Sequence, residues 1–390
     1  MKLRENPPLH LTYCLNIHPG ETWAENLAAI RQYAVAVKQR IAPAKPFGLG
    51  LRLSAAAAET LRVPTVRRAL RTELDALGLY VFTINGFPFG QFHGTRVKEQ
   101  VYAPDWRTRE RLEYTCLLAD ILADLLPDGV SGSISTLPGS FKPWIHGADD
   151  EQTMTKNLVA CARHLIEIEA RTGREIQLGL EPEPWCWIET TDEALRFFGE
   201  PLRAACVGGR ECEGVRRHLG VCLDTCHAAV QFESPLMALR RYRAAGIHVS
   251  KIQLSAALDV KGWSCSALRP FDEPVYLHQT KARLRDRSLL AWPDLSFALD
   301  ATDARTDIER LHVHFHVPLF WPGSASLHST AAELDEPFFR AACAATEHLE
   351  VETYTFSVLP EAMRAGGVVE CIRRELEWAQ ERIETPMGAA

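Results

Sequence analysis

The chain has 390 residues, of which 46% are hydrophobic and 24% are charged, and this composition excludes a largely disordered protein. Its formal net charge of -7 disfavours a nucleic-acid partner, because such a protein must neutralise phosphates, and it favours a small-molecule partner. The length fits either two average domains or one α/β barrel with an insertion.

Three further features concern the cellular compartment. Eleven cysteines without regular spacing indicate a reducing compartment rather than a disulfide framework. Residues 1–8 lack the apolar core of a signal peptide, and no stretch approaches the ~18 uninterrupted apolar residues of a membrane helix. We therefore expect a cytoplasmic protein without membrane insertion.

Eight strand-like segments recur along the chain, and helical segments separate most of them. The predicted strands cover residues 9–17, 47–53, 79–85, 130–137, 176–181, 219–224, 249–254 and 349–354. The predicted helices cover residues 23–41, 55–77, 105–126, 150–171, a short segment from 190, 235–245, 331–347 and 360–383, and residues 208–214 read as a polar connection.

Local signals mark several helix boundaries. Thr22 and Glu25 have the spacing of a capping box, and Ser54 is a candidate N-cap for the second helical region. Pro64 should split that region, and Gly78 should end it.

The alternation of strands and helices predicts a (β/α)₈ TIM barrel formed by residues 1–390 as a single domain. The alternation of strands and helices is interrupted after the seventh strand. We therefore predict an insertion over roughly 256–325, between strands seven and eight. The glycine- and aromatic-rich loop 86–94 suits either a wall or lid over a pocket or a loop packed on its own side chains.

Polar residues lie at the C-terminal ends of strands five to eight, where barrel enzymes place their catalytic groups. Alternate residues of a barrel strand point inward. The inward-pointing residues at these four strand ends are Glu181, Asp224, Gln253 and Glu352.

Three carboxylates that converge at one barrel mouth repel one another unless a cation compensates them or their pKa values rise. Oxygen ligands joined by an imidazole suit Mn²⁺, Mg²⁺, Co²⁺ or Zn²⁺. The alternative is that these acids lie on surface loops and pair with arginines.

The segment 311–318 alternates histidines with apolar residues, which predicts a strand with His312, His314 and His316 on one face. Such a face fits either a set of metal ligands or a polar strand surface with hydrogen-bonded histidines. His18 and Asn85, at predicted strand ends, are candidates for substrate contacts.

The order of Glu, Asp-x-x-His, a polar residue and Glu at strands five to eight resembles the xylose-isomerase-like superfamily of metal-dependent sugar isomerases, epimerases and endonucleases. Three segments resemble more closely the EboE family of "metabolite traffic" proteins. These segments are residues 11–23, 251–255 and 314–318.

The resemblance implies roles for individual residues. Glu181 and Glu352 would be metal ligands and also the acid/base pair, and Asp224 would be a third ligand. The superfamily's strand-seven histidine is replaced here by Gln253, whose amide oxygen would be a fourth metal ligand, although a weaker one than imidazole. His316 or His314 is the alternative candidate, which would supply the missing nitrogen ligand.

The remaining candidates lie beside these ligands. The resemblance implies that His227 contacts substrate hydroxyls. Glu183 points the same way as Glu181 if the strand continues, but its position between two prolines favours a loop or a supporting group.

Three functions are consistent with these observations. The leading hypothesis is a divalent-metal-dependent isomerase or epimerase that transfers a proton next to a carbonyl of a sugar-like or cyclitol-like polyol. The alternatives are a non-catalytic metabolite-binding barrel and, disfavoured by the charge, a phosphodiester-cleaving enzyme. The sequence does not indicate the substrate, the metal or the oligomeric state.

Overall fold

The computed structural model describes residues 1–206, 208–263, 265–301 and 306–384. Its strands are β1 (Lys2–Glu5), β2 (Pro8–Tyr13), β3 (Phe47–Arg52), β4 (Leu79–Asn85), β5 (Gly132–Thr136), β6 (Ile176–Leu180), β7 (Leu219–Asp224), β8 (Val249–Leu254), β9 (Leu258–Lys261), β10 (Thr280–Leu284), β11 (Leu289–Trp292), β12 (Ile308–Val313), β13 (Leu327–Ser329) and β14 (His348–Val351). The predicted domain 1–390 and the predicted insertion both include residues that lie outside the described ones.

Most of the α-helices follow strands of the large sheet, whereas α12 and α13 follow strands β9 and β11. They are α1 (Trp23–Ala29), α2 (Val35–Ile41), α3 (Ala55–Leu61), α4 (Pro64–Leu77), α5 (Arg109–Leu125), α6 (Ala148–Thr172), α7 (Thr191–Gly199), α8 (Pro201–Ala205), α9 (Gly209–His218), α10 (Thr225–Val230), α11 (Pro235–Ala244), α12 (Cys265–Leu268), α13 (Leu295–Ala301), α14 (Glu336–Ala345) and α15 (Val368–Glu384). None of the helices in the described part of the chain is both long enough and apolar enough to span a membrane.

Eight parallel strands, β2 to β8 and β14, form the predicted α/β barrel. Their hydrogen-bonded order is β2-β14-β8-β7-β6-β5-β4-β3, with β1 added antiparallel to the edge of β2. A parallel bridge between Cys14 and Gly50 brings the chain after β2 against β3, and this contact completes the circle. The C-terminal strand ends therefore meet at one mouth.

The predicted helix boundaries are confirmed where capping chemistry was visible. Thr22 and Glu25 form the capping box of α1, which a π-helical turn over Ile30–Ala34 connects to α2. The side chain of Ser54 caps α3, and α4 begins at Pro64. Gly78 ends α4 with φ 67°, a left-handed conformation that glycine adopts without strain.

The predicted polar connection 208–214 is wrong, because this segment belongs to helix α9. Gly214 is compatible with a loop, but here it allows two helices to pack closely. A Cβ atom at Gly214 would overlap the side chain of Ile166, so the missing side chain lets α9 approach α6.

Two predicted C-terminal helices begin later than expected. The segment from 331 starts with a 3₁₀ turn, and α14 begins only after Asp335, whose carboxylate caps the backbone N–H of Phe338. The segment from 360 is interrupted by Gly366 and Gly367, which both have positive φ, so α15 begins at Val368. The first predicted strand also ends early, at Tyr13, and a 3₁₀ turn follows it.

The insertion between β8 and β14 forms a second, antiparallel sheet, which the irregular sequence did not reveal. Its strand order is β11-β10-β12-β9-β13. Apolar residues of this sheet, including Val260 and Leu311, join the same buried cluster as the barrel core. The insertion thus packs as part of the same core, next to the barrel mouth.

The predicted strand through all three histidines of 311–318 is wrong. Strand β12 ends at Val313, because the chain then leaves the sheet in a tight turn in which the Phe315 N–H donates to the Val313 carbonyl at 2.7 Å. His312 still lies within β12 and faces the segment after β7. There its Nδ1 contacts the Ala229 carbonyl and its ring stacks on Phe232. His314 and His316 turn toward the barrel mouth.

The barrel interior below the mouth is polar. Lys251 of β8 donates to Glu350 of β14, and both side chains have no exposed surface. Gly50 makes this possible, because a Cβ atom there would overlap the Glu350 carboxylate. The charge pair therefore depends on a glycine of β3, across the barrel interior.

Candidate functional site

Three carboxylates meet at the C-terminal mouth of the barrel. Glu181 follows β6, Asp224 ends β7 and Glu352 follows β14, and one oxygen from each lies within 4.8 Å of the others. All three residues are less than 5% exposed. The structure therefore brings together three of the acids that the sequence placed at strand ends, and they do not lie on surface loops.

Asp224 is positioned by the start of helix α10. Its Oδ1 accepts from the backbone N–H of His227 at 2.9 Å and from the Ser255 hydroxyl at 2.7 Å. The Asp-x-x-His spacing is thus the spacing of an N-cap and the third helical residue. Oδ2 remains buried without a hydrogen-bond partner among the described residues.

Glu352 is held by two side-chain amides, one from the 3₁₀ turn after β2 and one from the end of β4. Asn16 donates to its Oε1 at 2.7 Å, and Asn85 donates to the same oxygen at 2.9 Å. Asn85 was among the predicted substrate contacts, whereas Asn16 was not singled out. Both amides orient the carboxylate toward the cavity.

The shared burial of these acids shifts their pKa values. Burial raises the pKa of Glu181 to about 8, and burial together with Glu181 and Asp224 raises the pKa of Glu352 well above its usual value. Burial opposes ionisation of Asp224 too, but His227, His316 and the Ser255 hydroxyl hold the pKa of Asp224 below its usual value. Asp224 is the acid that stays ionised.

Three histidines lie beside the carboxylates. His227 has its ring centroid 4.6 Å from that of His314 and 5.8 Å from that of His316. Burial lowers the pKa of His316 to about 4, and it lowers the pKa of His314 well below the usual value. Both rings are therefore neutral at pH 7, the state in which imidazole binds metals.

Glu183 lies in the same cavity, on the loop that follows β6. Its Oε2 is 3.0 Å from Nε2 of His227, and its Oε1 accepts from the Tyr102 hydroxyl at 3.1 Å. Burial, with a contribution from Asp224, raises the pKa of Glu183 well above its usual value. The loop thus adds a fourth buried acid to the mouth.

Gln253 and His18, two further residues predicted for the site, contact other protein groups and do not line the cavity. Gln253 is fully buried, and its Oε1 accepts from the Cys222 thiol at 2.8 Å, so this amide oxygen already has a protein partner. His18 stacks on Tyr33 at 4.3 Å and contacts the Tyr13 hydroxyl at 3.1 Å, and it does not line the cavity. From the segment after the first barrel strand, Asn16 reaches the cavity instead.

Aromatic residues enclose the cavity opposite the acids. Phe92, Val97, Tyr276 and Tyr354 form a separate apolar cluster at the mouth. Phe87 and Phe92 of the loop 86–94 line the cavity, which supports the wall that the sequence suggested as one alternative. The cavity measures about 50 Å³, which is enough for a few water molecules.

Several residues of the site were not recognised from the sequence. Gln279 and Tyr276 come from the insertion, and Tyr102 comes from the segment after β4. No periodicity in these segments pointed to the cavity. Asn16 did offer a signal, because it lies at the end of the first predicted strand, as Glu181 does for the fifth.

The side chains fit a divalent cation. Glu181 Oε2, Asp224 Oδ2 and His316 Nε2 are buried without hydrogen-bond partners among the described residues. Unpartnered buried carboxylate oxygens are costly unless a cation satisfies them. The set of carboxylate oxygens with an adjacent neutral imidazole is the donor set that Mn²⁺, Co²⁺ and Zn²⁺ accept.

No protein-family model and no curated protein sequence matches the chain. The chain is similar to a solved structure of a D-tagatose 3-epimerase-like protein, with 11% identity over 96% of this chain and 97% of that one, at a TM-score of 0.51. Other similar structures are the probable 3-DHS dehydratase AsbF of Bacillus anthracis (14% identity, 95% and 98% covered, TM-score 0.49) and the IOLI protein with a binding zinc atom (13% identity, 98% and 100% covered, TM-score 0.48). At 11% identity, the likeness to the epimerase-like protein shows a shared fold, the α/β barrel.

Proposed function

We propose that the protein is a divalent-metal-dependent isomerase or epimerase acting on a sugar-like or cyclitol-like polyol. One observation carries the proposal. Glu181 and Glu352 are buried carboxylates with raised pKa values that reach one cavity from strands β6 and β14, with Asp224 between them. A pair of such acids is what proton transfer at a carbon next to a carbonyl requires.

Each of the three carboxylates has its own role in the proposed reaction. Glu181 and Glu352 both face the cavity, where each would pass a proton to or from a substrate carbon. Glu352 is oriented by Asn16 and Asn85, and Asp224 contributes a permanent negative charge. A divalent ion held by Glu181, Asp224 and Glu352 would supply Lewis-acid polarisation of a substrate carbonyl.

We assign the other cavity residues to the substrate. His227, Asn85 and Glu183 line the cavity at the acids, where hydroxyl groups of a polyol would lie. Phe87, Phe92 and Tyr354 of the aromatic wall line the same cavity and would border a bound polyol. His314 also lines the cavity and is a further candidate for a substrate contact.

We extend the proposal to an EboE-type role in a metabolite biosynthesis or trafficking pathway in the cytoplasm. The segments 11–23, 251–255 and 314–318 support this extension through their resemblance to that family. The structure adds that Asn16, Gln253 and His316 of these segments all lie at or below the mouth of the barrel.

Solvent deuterium exchange tests the proposal. The metal-loaded protein is incubated in D₂O with ketoses, aldoses and inososes, and NMR follows the C–H signal next to the carbonyl. We expect exchange with at least one compound class, and we expect Glu181→Gln and Glu352→Gln to abolish it. Glu175→Gln, at the opposite end of β6, is the matched control and should leave exchange unchanged.

Two outcomes contradict the proposal. One is the absence of exchange with every compound class. The other is tight binding of a polyol without exchange, which identifies a metabolite-binding barrel. Exchange that persists in both site variants contradicts the assignment of the two glutamates.

A further inference from the structure

Two cysteines meet where helices α5 and α6 pack against each other on the outside of the barrel. Cys116 lies on α5 and is partly exposed, whereas Cys161 lies on α6 and is fully buried. The two thiols interact directly, with the thiol of Cys161 as the hydrogen-bond donor. Neither cysteine lines the cavity at the barrel mouth, so the pair belongs to a different part of the molecule from the carboxylates.

The same two helices place an imidazole and a carboxylate beside this pair. His164 lies three residues after Cys161 on α6, and Asp120 lies four residues after Cys116 on α5, so helical spacing puts each pair on one helix face. Nε2 of His164 contacts Oδ1 of Asp120 at 3.2 Å, and a guanidinium nitrogen of Arg171 lies 3.6 Å from the same oxygen. The hydrogen bond to Asp120 raises the pKa of His164, which favours the imidazolium.

These contacts favour the thiolate of Cys116. The hydrogen bond from Cys161 lowers the pKa of Cys116, and the charge of His164 lowers it further, whereas burial, Asp120 and Glu113 oppose the shift without reversing it. The same thiol contact, together with burial, raises the pKa of Cys161 well above its usual value. The pair thus consists of one nucleophilic sulfur and one neutral thiol in contact with it.

This combination differs from that of cysteines that only fill space in a helix contact. A space-filling cysteine is protonated and unreactive. Oxidation-sensitive cysteines instead combine solvent access, thiolate character and a second cysteine that can attack the oxidised sulfur. Cys116 has all three properties, with His164 supplying a positive charge and Cys161 the second sulfur.

We propose that Cys116 is an oxidation site for hydroperoxides and that Cys161 converts the oxidised Cys116 into a disulfide between α5 and α6. This inference goes beyond the proposed function and does not depend on it. It adds a modification site on the helices outside the barrel.

The reaction has two steps. The Cys116 sulfur attacks the hydroperoxide, an S–O bond forms and the O–O bond breaks, so that the sulfur is oxidised by two electrons to the sulfenic acid and the peroxide is reduced. The leaving oxygen takes a proton from His164 and departs as an alcohol or as water. The Cys161 sulfur then attacks the Cys116 sulfur, an S–S bond forms, and the hydroxyl group leaves with the Cys161 proton as water.

Peptide mass spectrometry tests this site. The full chain is reduced, freed of reductant, treated with hydrogen peroxide at pH 7, alkylated and digested. We expect a cross-linked peptide that joins Cys116 to Cys161, and we expect dithiothreitol to reverse it. In Cys161→Ala the sulfenic acid should persist on Cys116 and be trapped by dimedone, and in Cys116→Ser the thiol of Cys161 should stay reduced.

Two controls isolate the role of the surroundings. His164→Gln should slow the oxidation of Cys116 about tenfold, which is the change in thiolate fraction for a pKa difference of about one unit. Cys206 and Cys212 are a second pair of interacting thiols in the same digest, but burial raises the pKa of Cys206 to about 11. Oxidation of Cys206 should therefore be slower than that of Cys116. Circular dichroism of every variant establishes that the chain is folded.

Each part of the proposal has an outcome that overturns it. Oxidation of Cys116 in the parent chain that is no faster than oxidation of Cys206 overturns the site. Dimedone-reactive Cys116 in the parent chain, without a cross-link, overturns the role of Cys161. An unchanged oxidation rate in folded His164→Gln overturns the role of the imidazole.

Discussion

Replacing Glu375 with glutamine should stabilise the folded protein more at pH 8 than at pH 5. Glu375 lies on α15 and is fully buried. Its Oε1 accepts from the Leu319 backbone N–H at 3.1 Å and from the Thr353 hydroxyl at 2.7 Å. Because Thr353 follows Glu352 directly, this carboxyl group anchors the end of the strand that carries a site residue.

The pKa of Glu375 sets the size of the effect. Burial raises that pKa from 4.5 to about 7. In the unfolded chain the group ionises near pH 4.5, so between about pH 4.5 and 7 the folded state binds a proton that the unfolded state has released. Stability therefore falls as the pH rises through this window. The full penalty, reached above pH 7, is about 3 kcal/mol, at ~1.4 kcal/mol per pKa unit.

Chemical denaturation at pH 5 and pH 8 measures the difference. Glutamine keeps an oxygen for both donors and carries no charge, so the variant should gain about 3 kcal/mol over the parent at pH 8 and less than about 1 kcal/mol at pH 5. Any packing change contributes equally at both pH values. Glu377→Gln, at a partly exposed position on the same helix, is the control measured at both pH values. An equal effect of Glu375→Gln at both pH values would refute the reasoning.

Three further substitutions test the interior and the site. Lys251→Met should destabilise the protein by about 3–5 kcal/mol in denaturation experiments, because Glu350 is left buried and unpaired, and adding Glu350→Leu should recover most of the loss. Gly50→Ala should cost about 1–3 kcal/mol by overlap with that carboxylate, and an unchanged midpoint would contradict the packing described. Asn85→Ala should slow deuterium exchange about tenfold with unchanged circular dichroism, because Glu352 loses an orienting amide, and an unaltered rate would remove that role.

The barrel could be predicted from the sequence because its strands are short apolar runs with clear ends. Strands β4, β7 and β8 have the predicted bounds, and the caps at Thr22, Ser54 and Gly78 follow local rules of helix termini. Glycines led to two opposite errors in the predicted helices, one helix missed and one predicted too long. Gly214 lies inside a helix because it permits close packing, whereas Gly366 and Gly367 interrupt a predicted one.

The carboxylates of the site could be predicted because the ends of parallel strands meet at one mouth. The insertion could not, because its antiparallel sheet depends on long-range pairing that leaves no periodic signal in the sequence. The orientation of His314 follows from that pairing, since its backbone N–H donates to Gln279 and its ring is fixed by the same residue. His312, two residues earlier, lies within β12 of the antiparallel sheet, and its ring contacts the Ala229 carbonyl instead of the cavity.

The central claim is that Glu181, Asp224 and Glu352 together bind a divalent cation. Crystals grown with Mn²⁺ and measured at the manganese absorption edge test it most directly, because anomalous density locates the ion without assumptions about activity. We predict a peak in contact with an oxygen atom of each of the three carboxylates. A manganese-loaded crystal with no anomalous peak between these residues would contradict the claim.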